Sequence, residues 1–224
     1  MDETKDSLFA FCEWIKRRGP SFLDMFTATS DEQFETAFTG VLEEAVRHLE
    51  TNKKNFQTLD EDALSAVLAG ALRIPGWLAV RQESNSNGHV DLTIEALGCI
   101  PARVKLGEAK IYSGPAYHVK GMQQLLQRYT TGREGPGLVI AYVRKQDIKG
   151  LIEKLRSHLD TELPLAQQGA CENHPLKWSL LTVHLHSSGE SVQVGHIGCN
   201  LYLDRQKPPV NATVQSQEQP QLQG

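Results

Sequence analysis

The run Leu138-Val139-Ile140-Ala141-Tyr142-Val143 constrains the fold most strongly, because no residue in it breaks the apolar pattern. Successive side chains of a strand point to opposite faces, so a strand of this composition has to be covered on both of them. A helical pattern follows it from Asp147 to Leu159, and another precedes it from about Tyr117 to Thr130. Strand, helix, strand, helix in succession predicts an α/β fold: a central mixed β-sheet flanked by helices in three layers. With 224 residues, 40% of them hydrophobic, the chain has enough apolar side chains to fill such a core.

Upstream, residues 7–18 read as a short helix with Leu8, Phe11, Cys12 and Ile15 on one side, ended by Gly19-Pro20. Ser30-Asp31-Glu32-Gln33 is a capping-box pattern. It opens a helix whose stripe is Phe34, Phe38, Val41, Leu42, Ala45, Val46 and Leu49. Asp60 reads as the cap of a third helix, with Leu64, Val67, Leu68 and Leu72 inward. The expected organisation is an N-terminal helical layer (1–58), an α/β core (59–160) and a C-terminal β extension packed on the core (161–204). That extension holds a β-hairpin, Leu180–His186 with Ser191–Ile197, and a short strand Leu201–Leu203. Residues 205–224 run to Pro, Gln and Ser without an aromatic residue and are expected to be a disordered tail.

Ionisable residues stand among apolar ones at strand spacing in the stretch Gly88–Ile111. In Val104-Lys105-Leu106-Gly107-Glu108-Ala109-Lys110-Ile111, Glu108 and Lys110 share one face and Ala109 and Ile111 the other. On the preceding strand Asp91 shares a face with His89 and Thr93, while Val90, Leu92 and Ile94 are expected to turn into the core. Two carboxylates and an amine brought to one point suit a hard divalent cation. Magnesium takes one or two protein carboxylates and completes its shell with water and phosphate oxygens, and an ammonium beside it can stabilise charge on a phosphoryl group. An E-x-K pair is equally at home as a solvent-facing ion pair on the polar side of an antiparallel strand. The net charge is −4, yet from Arg103 to Arg133 Glu108 is the only acid, beside Arg103, Lys105, Lys110, Lys120, Arg128 and Arg133. A local field of that sign, not the global sum, steers a polyanion.

Taken in order, these residues resemble the PD-(D/E)xK nuclease superfamily, the restriction-endonuclease-like fold. Its pattern is a helix with a glutamate, a hairpin strand with the aspartate, a strand carrying E-x-K and a helix with a glutamine. In this chain those are Glu61, Asp91, Glu108 with Lys110, and Gln123 or Gln124. The resemblance spans roughly residues 59–144 and its motifs are short. It departs from the family at Val90, where a proline is usual, and at Tyr129, five residues after Gln124 where some members space the pair by four. It implies a magnesium- or manganese-dependent nuclease acting on DNA, with RNA left open, and cytoplasmic roles such as restriction, repair or antiphage defence. Asp91 and Glu108 would hold the metal, Lys110 would assist the attack of water and Glu61 would support the metal shell. Gln123, Gln124 and Arg128 would touch the nucleic acid. Glu83 is an alternative to Glu61, whose place in the first turn of a helix is also explained by the helix dipole.

Two rival readings come from other classes. One is a catalytically silent nuclease-like module that binds nucleic acid or a protein. The other is a structural subunit, or homodimer, joined through the acidic N-terminal helices. Cys171-x-x-His174, His184-x-His186 and His196-x-x-Cys199 invite a zinc reading, against which alternating histidines are ordinary on a half-exposed strand. No apolar run approaches a membrane span, and Met1–Asp6 lacks the layout of a secretory signal, so a cytosolic chain with four reduced cysteines is expected.

Overall fold

Side-chain caps start the helices where the sequence places them. The Ser7 hydroxyl accepts from the Ala10 amide (3.1 Å), the Ser30 hydroxyl from Gln33 (3.2 Å) and the Asp60 carboxylate from Ala63 (2.9 Å). The structure, a computed structural model, describes residues 7–74, 76–85, 88–97, 99 and 103–204, leaving aside the side chains of residues 8, 18, 20, 83–85 and 88–89. The tail expected at 205–224 lies outside the described residues. The three caps open α1 (Leu8–Arg18) and, beyond α2 (Pro20–Thr27), α3 (Asp31–Thr51) and α4 (Glu61–Leu72). Helix α2 is an addition to the elements expected from sequence. Pro20 does end α1, but it also occupies the first position of a new helix, where its missing N–H is one that no helix uses.

The chain continues through β1 (Leu78–Asn85), β2 (Gly88–Ala96), β3 (Arg103–Ile111), α5 (Pro115–Gln124), a π turn (Leu125–Tyr129), β4 (Gly137–Val143) and α6 (Ile148–Glu162). It ends in β5 (Glu172–Asn173), β6 (Ser179–Leu185) and β7 (Ser191–Asn200). All seven strands join one mixed sheet in the order β1-β2-β3-β4-β7-β6-β5. The pairs β3–β4 and β4–β7 are parallel and the rest antiparallel. As its composition demands, β4 is central and buried along its whole length. On one face Leu92, Ile94, Ala109, Ile140 and Tyr142 pack against α3 and α4. On the other Val90, Leu106, Val139, Ala141 and Val194 pack against α5, the π turn and α6. The molecule is thus an α/β fold with a mixed sheet flanked by helices. The C-terminal hairpin belongs to that sheet, since β7 lies directly against β4. Leu201–Leu203 form no strand; the Leu201 amide simply donates to the Val143 carbonyl (2.8 Å).

A register shift between β1 and β2 sets the directions of the side chains around Asp91. Arg81 pairs with Thr93 but Glu83 with Val90, so Asp91 and Leu92 of β2 together stand opposite Gln82 of β1. Such a bulge interrupts the alternation of a strand. Val90 accordingly faces the α5 side while Leu92 and Ile94 face the α4 side, which corrects the expectation that all three share one core face.

The basic stretch also divides. Arg103 bonds Asp31 (2.8 Å), and Lys105, only 2% exposed, holds both carboxylate oxygens of Glu35 at 2.8 and 2.6 Å, with Phe38 5.1 Å away under its ammonium. Burial pulls the Lys105 pKa down, and Glu35 only partly restores it. These two cations tie β3 to α3 rather than facing a ligand. Further on, Arg144 donates to the Phe56 and Leu59 carbonyls and Arg156 to those of Cys171 and Glu172. Among the described residues no helix is long and apolar enough to cross a membrane.

Candidate active site

Continuing the β2–β3 ladder one step past Leu92↔Gly107 sets Asp91 opposite Glu108. The pairing of β2 with β3 ends at Leu92↔Gly107, and the Asp91 carboxylate accepts the amide of Ala109 (Oδ2, 2.8 Å). Glu108 and Lys110, one face of β3 as their spacing requires, form an ion pair of 2.5 Å. Lys110 Nζ also donates to Glu61 Oε1 (3.1 Å), and the Ile111 amide to Glu61 Oε2 (2.7 Å). Glu61 stands in the first turn of α4, where a carboxylate complements the helix dipole. The structure therefore brings Glu61, Asp91, Glu108 and Lys110 together at the fork where β2 leaves β3. The side chain of Glu83 lies outside the described residues.

The strand members of this cluster are buried: Glu108 is 1% exposed, Asp91 6% and Lys110 9%. Burial first, then the nearby charges of Asp91 and Glu61, push the Glu108 carboxyl up to about 7 against the pull of Lys110. Burial also pulls Lys110 down, but its bonds to Glu108 and Glu61 outweigh that and its pKa rises. The two partners answer to different sums. Lys110 has two acids for one amine and keeps its charge, whereas Glu108 has burial and two like charges against one amine. Glu108 Oε2 is left buried without a hydrogen-bond partner, a costly state for a carboxylate oxygen. A hard cation would satisfy it. Among the described residues no three His, Cys, Asp or Glu side chains form a ready-made metal cage. Magnesium does not require one, because water and phosphate oxygens complete its shell. The donor set present, Asp91 and Glu108 with an orphaned oxygen, fits that cation and not a soft one.

Helix α5 covers the cluster at Gly121, where a Cβ would come within 3.0 Å of Lys110 Cγ and 3.4 Å of Glu108 Cγ. Beyond it the helix widens into the π turn, closed by a Thr130 amide to Leu125 carbonyl bond of 3.1 Å. A π turn stacks residue i+5 over residue i. The five-residue spacing of Gln124 and Tyr129 therefore returns both to the site side. Tyr129 is buried, and its pKa is raised by burial and then by Glu108 and Asp91. Gln124 and Arg128 line a cleft of about 500 Å³ together with Lys110, Tyr117, Lys120 and Gln127. Gln123 also lines it, exposed, with its amide donating to Gln127 Oε1 (2.9 Å). Among the described residues no acid lines this cleft. Tyr117, Lys120, Gly121 and Tyr129 join the site residues expected from sequence. Their one legible signal is the absence of acids between Glu108 and Arg133.

The histidines that invite a zinc reading are otherwise engaged. His118 Nε2 meets His196 Nδ1 (2.8 Å), His196 Nε2 meets Thr182 Oγ1 (2.7 Å), Thr182 Oγ1 meets His184 Nε2 (2.8 Å), and His184 Nδ1 meets the Leu165 carbonyl (3.1 Å). A carbonyl only accepts, so the direction of every bond is fixed back along the chain: His184 donates from Nδ1, Thr182 donates to His184, His196 to Thr182 and His118 to His196. Each ring is neutral in that arrangement. His174 accepts from the Leu176 amide (3.0 Å), and His186 bonds Ser188 (2.9 Å). Cys171 and Cys199 are buried free thiols.

No family model, no curated protein and no solved structure matches this chain. The chemistry of the site rests on its own geometry.

Proposed function

We propose that the chain is a metal-dependent nuclease of the PD-(D/E)xK type, built on a restriction-endonuclease-like core, that hydrolyses phosphodiester bonds in DNA. The observation that carries this reading is the convergence of Glu61, Asp91, Glu108 and Lys110, with Glu108 Oε2 unpartnered, beside a cleft lined by no acid among the described residues. Asp91 and Glu108 would hold magnesium or manganese, which supplies Lewis acidity toward a phosphoryl oxygen and a nucleophilic water. Lys110 stays protonated beside two carboxylates and can donate to a non-bridging phosphate oxygen as its charge grows. Glu61 holds that ammonium and the Ile111 amide, so it fixes the lysine rather than reacting. Gln124 and Arg128 present donors to the phosphates of the strand leading into the site.

Supercoiled plasmid, whose torsional strain opens short unpaired stretches, should be nicked by the full chain with magnesium present and left intact in excess chelator. Asp91→Ala and Lys110→Ala should each lower the rate by at least about a hundredfold. Equal cleavage in chelator, or by the Lys110→Ala protein, rejects the assignment; absence of cleavage with retained DNA binding favours the silent module instead. Gly121→Ala tests the packing over the site. Its added methyl meets Lys110 Cγ at 3.0 Å, while alanine in a helix interior gains up to about 1 kcal/mol over glycine. Thermal stability should change little and the cleavage rate should fall about tenfold or more, because small displacements of a catalytic group are costly. An unchanged rate shows that Lys110 tolerates displacement.

A further inference from the structure

The cleft beside Lys110 has a shape and chemistry that select among nucleic acids. Its volume of about 500 Å³ is that of a pocket for one small ligand, not of a trough for a double helix. The carboxylates behind it are nearly closed off, Glu108 at 1% exposure and Asp91 at 6%. A phosphodiester reaches them only if its strand can bend inward, which a paired duplex resists and an unpaired strand does not. Tyr117 stands at the cleft with 38% exposure, in the first turn of α5. Lys120 and Gln124 follow it at i+3 and i+7 on the same side of the helix, and all three line the cleft with Arg128.

We infer that the site takes a single unpaired DNA strand, with one base stacked on the Tyr117 ring and the flanking phosphates on Lys120 and Arg128. The inference rests on the nuclease reading proposed for the same site. An aromatic platform within a basic groove is what an unpaired strand exposes its base faces and phosphates to. A duplex hides those faces and would leave Tyr117 without a partner.

The test is fluorescence anisotropy of the full chain in chelator with a labelled single-stranded DNA, the same sequence as a blunt duplex, and its RNA counterpart. The single strand should bind at least tenfold more tightly than the duplex. Tyr117→Ala should weaken it about tenfold or more, with Tyr117→Phe close to the starting protein because stacking needs the ring and not the hydroxyl. Lys120→Gln should flatten the salt dependence of binding. Preference for duplex, or Tyr117→Ala binding like the unaltered protein while both variants remain folded by thermal melt, overturns the inference and leaves the nuclease reading standing. Tighter binding of RNA than of DNA reassigns the strand and overturns the DNA proposal. No binding to any of the three, together with no magnesium-dependent cleavage, removes both.

Discussion

Glu108→Gln is expected to abolish magnesium-dependent cleavage and, in the same protein, to raise the melting temperature at pH 8. The folded pKa of Glu108 is pushed up to about 7 from an ordinary 4.5, chiefly by burial. A raised carboxyl binds its proton more tightly in the folded state, so the stability it contributes is complete below pH 4.5 and is lost as pH rises through 7. The ionised side chain at pH 8 therefore costs up to about 3 kcal/mol. A glutamine of the same shape carries no such cost. Lys110 loses one anionic partner but keeps Glu61, so a net gain of about 2 kcal/mol is expected, some 4–8 °C for a chain of this size. The gain should shrink steadily as pH falls below 7, where the folded glutamate is protonated as well. Saturating magnesium should stabilise the unaltered protein and not the variant, narrowing the gap. Activity should fall by about 10³-fold or more, the equivalent of several kcal/mol of lost charge stabilisation. Plasmid cleavage and pH-resolved thermal melts read both arms. A variant less stable than the parent at pH 8 contradicts the electrostatic account, and one that still cuts contradicts the chemical one.

Acid should unfold the protein early, with stability falling steeply from pH 6.5 downward. His118 is lowered to about 3 by burial, His196 well below its ordinary value by burial and then by His118 and His184, and His184 is lowered by burial. His174 is lowered to about 4 by burial and Lys105. For a group whose folded pKa is depressed, the unfolded chain binds more protons between the two values, so stability is present above pH 6.5 and is lost as pH falls toward the folded value. A ring held neutral in the fold costs about 1.4 kcal/mol per pH unit below 6.5, for His118 down to about 3 and for His174 down to about 4, and His196 and His184 act in the same direction. Glu108 works in the opposite direction between pH 7 and 4.5, but it is one proton against three or more. A domain stable by 5–15 kcal/mol should then lose its fold at about pH 4–5. His118→Gln retains an amide donor toward His196 and has no proton to take up, so its melting temperature should depend less steeply on pH, by roughly a third. A melting temperature that is flat from pH 7 to 5, or a variant with the parental slope, would show that the relay is not held neutral.

Much of the scaffold is legible in the sequence because period-2 and period-3.6 patterns are consequences of geometry. The all-apolar run at residues 138–143 locates the central strand, and Ser30 and Asp60 locate helix starts to the residue. The E-x-K spacing places Glu108 and Lys110 on one face without any tertiary information. What stays hidden depends on register and on contacts between distant segments. The alternation of Val90-Asp91-Leu92-Thr93-Ile94 reads as an unbroken strand, and nothing in it announces the bulge that turns Val90 away from Leu92. Lys105 looks like the other cations of its stretch, yet its partner is Glu35, seventy residues earlier. The relay joins residues 118, 182, 184 and 196, of which local spacing connects only 182 and 184. The π turn is a departure from helical counting, so the relation of Gln124 to Tyr129 becomes visible only with the backbone in place.

Because β7 closes against β4, the strand that carries the sheet through its middle keeps one flank of bare backbone groups until synthesis has passed residue 200. The hinge of the whole architecture is a long-range parallel pairing, the kind that forms slowly. A ribosome making this chain therefore holds a nascent β3–β4 pair with an unsatisfied border, vulnerable to neighbouring strands. The same delay has a protective side: the proposed metal site seated on β3 cannot become rigid before residue 200 has emerged, so products truncated ahead of β7 would be inert.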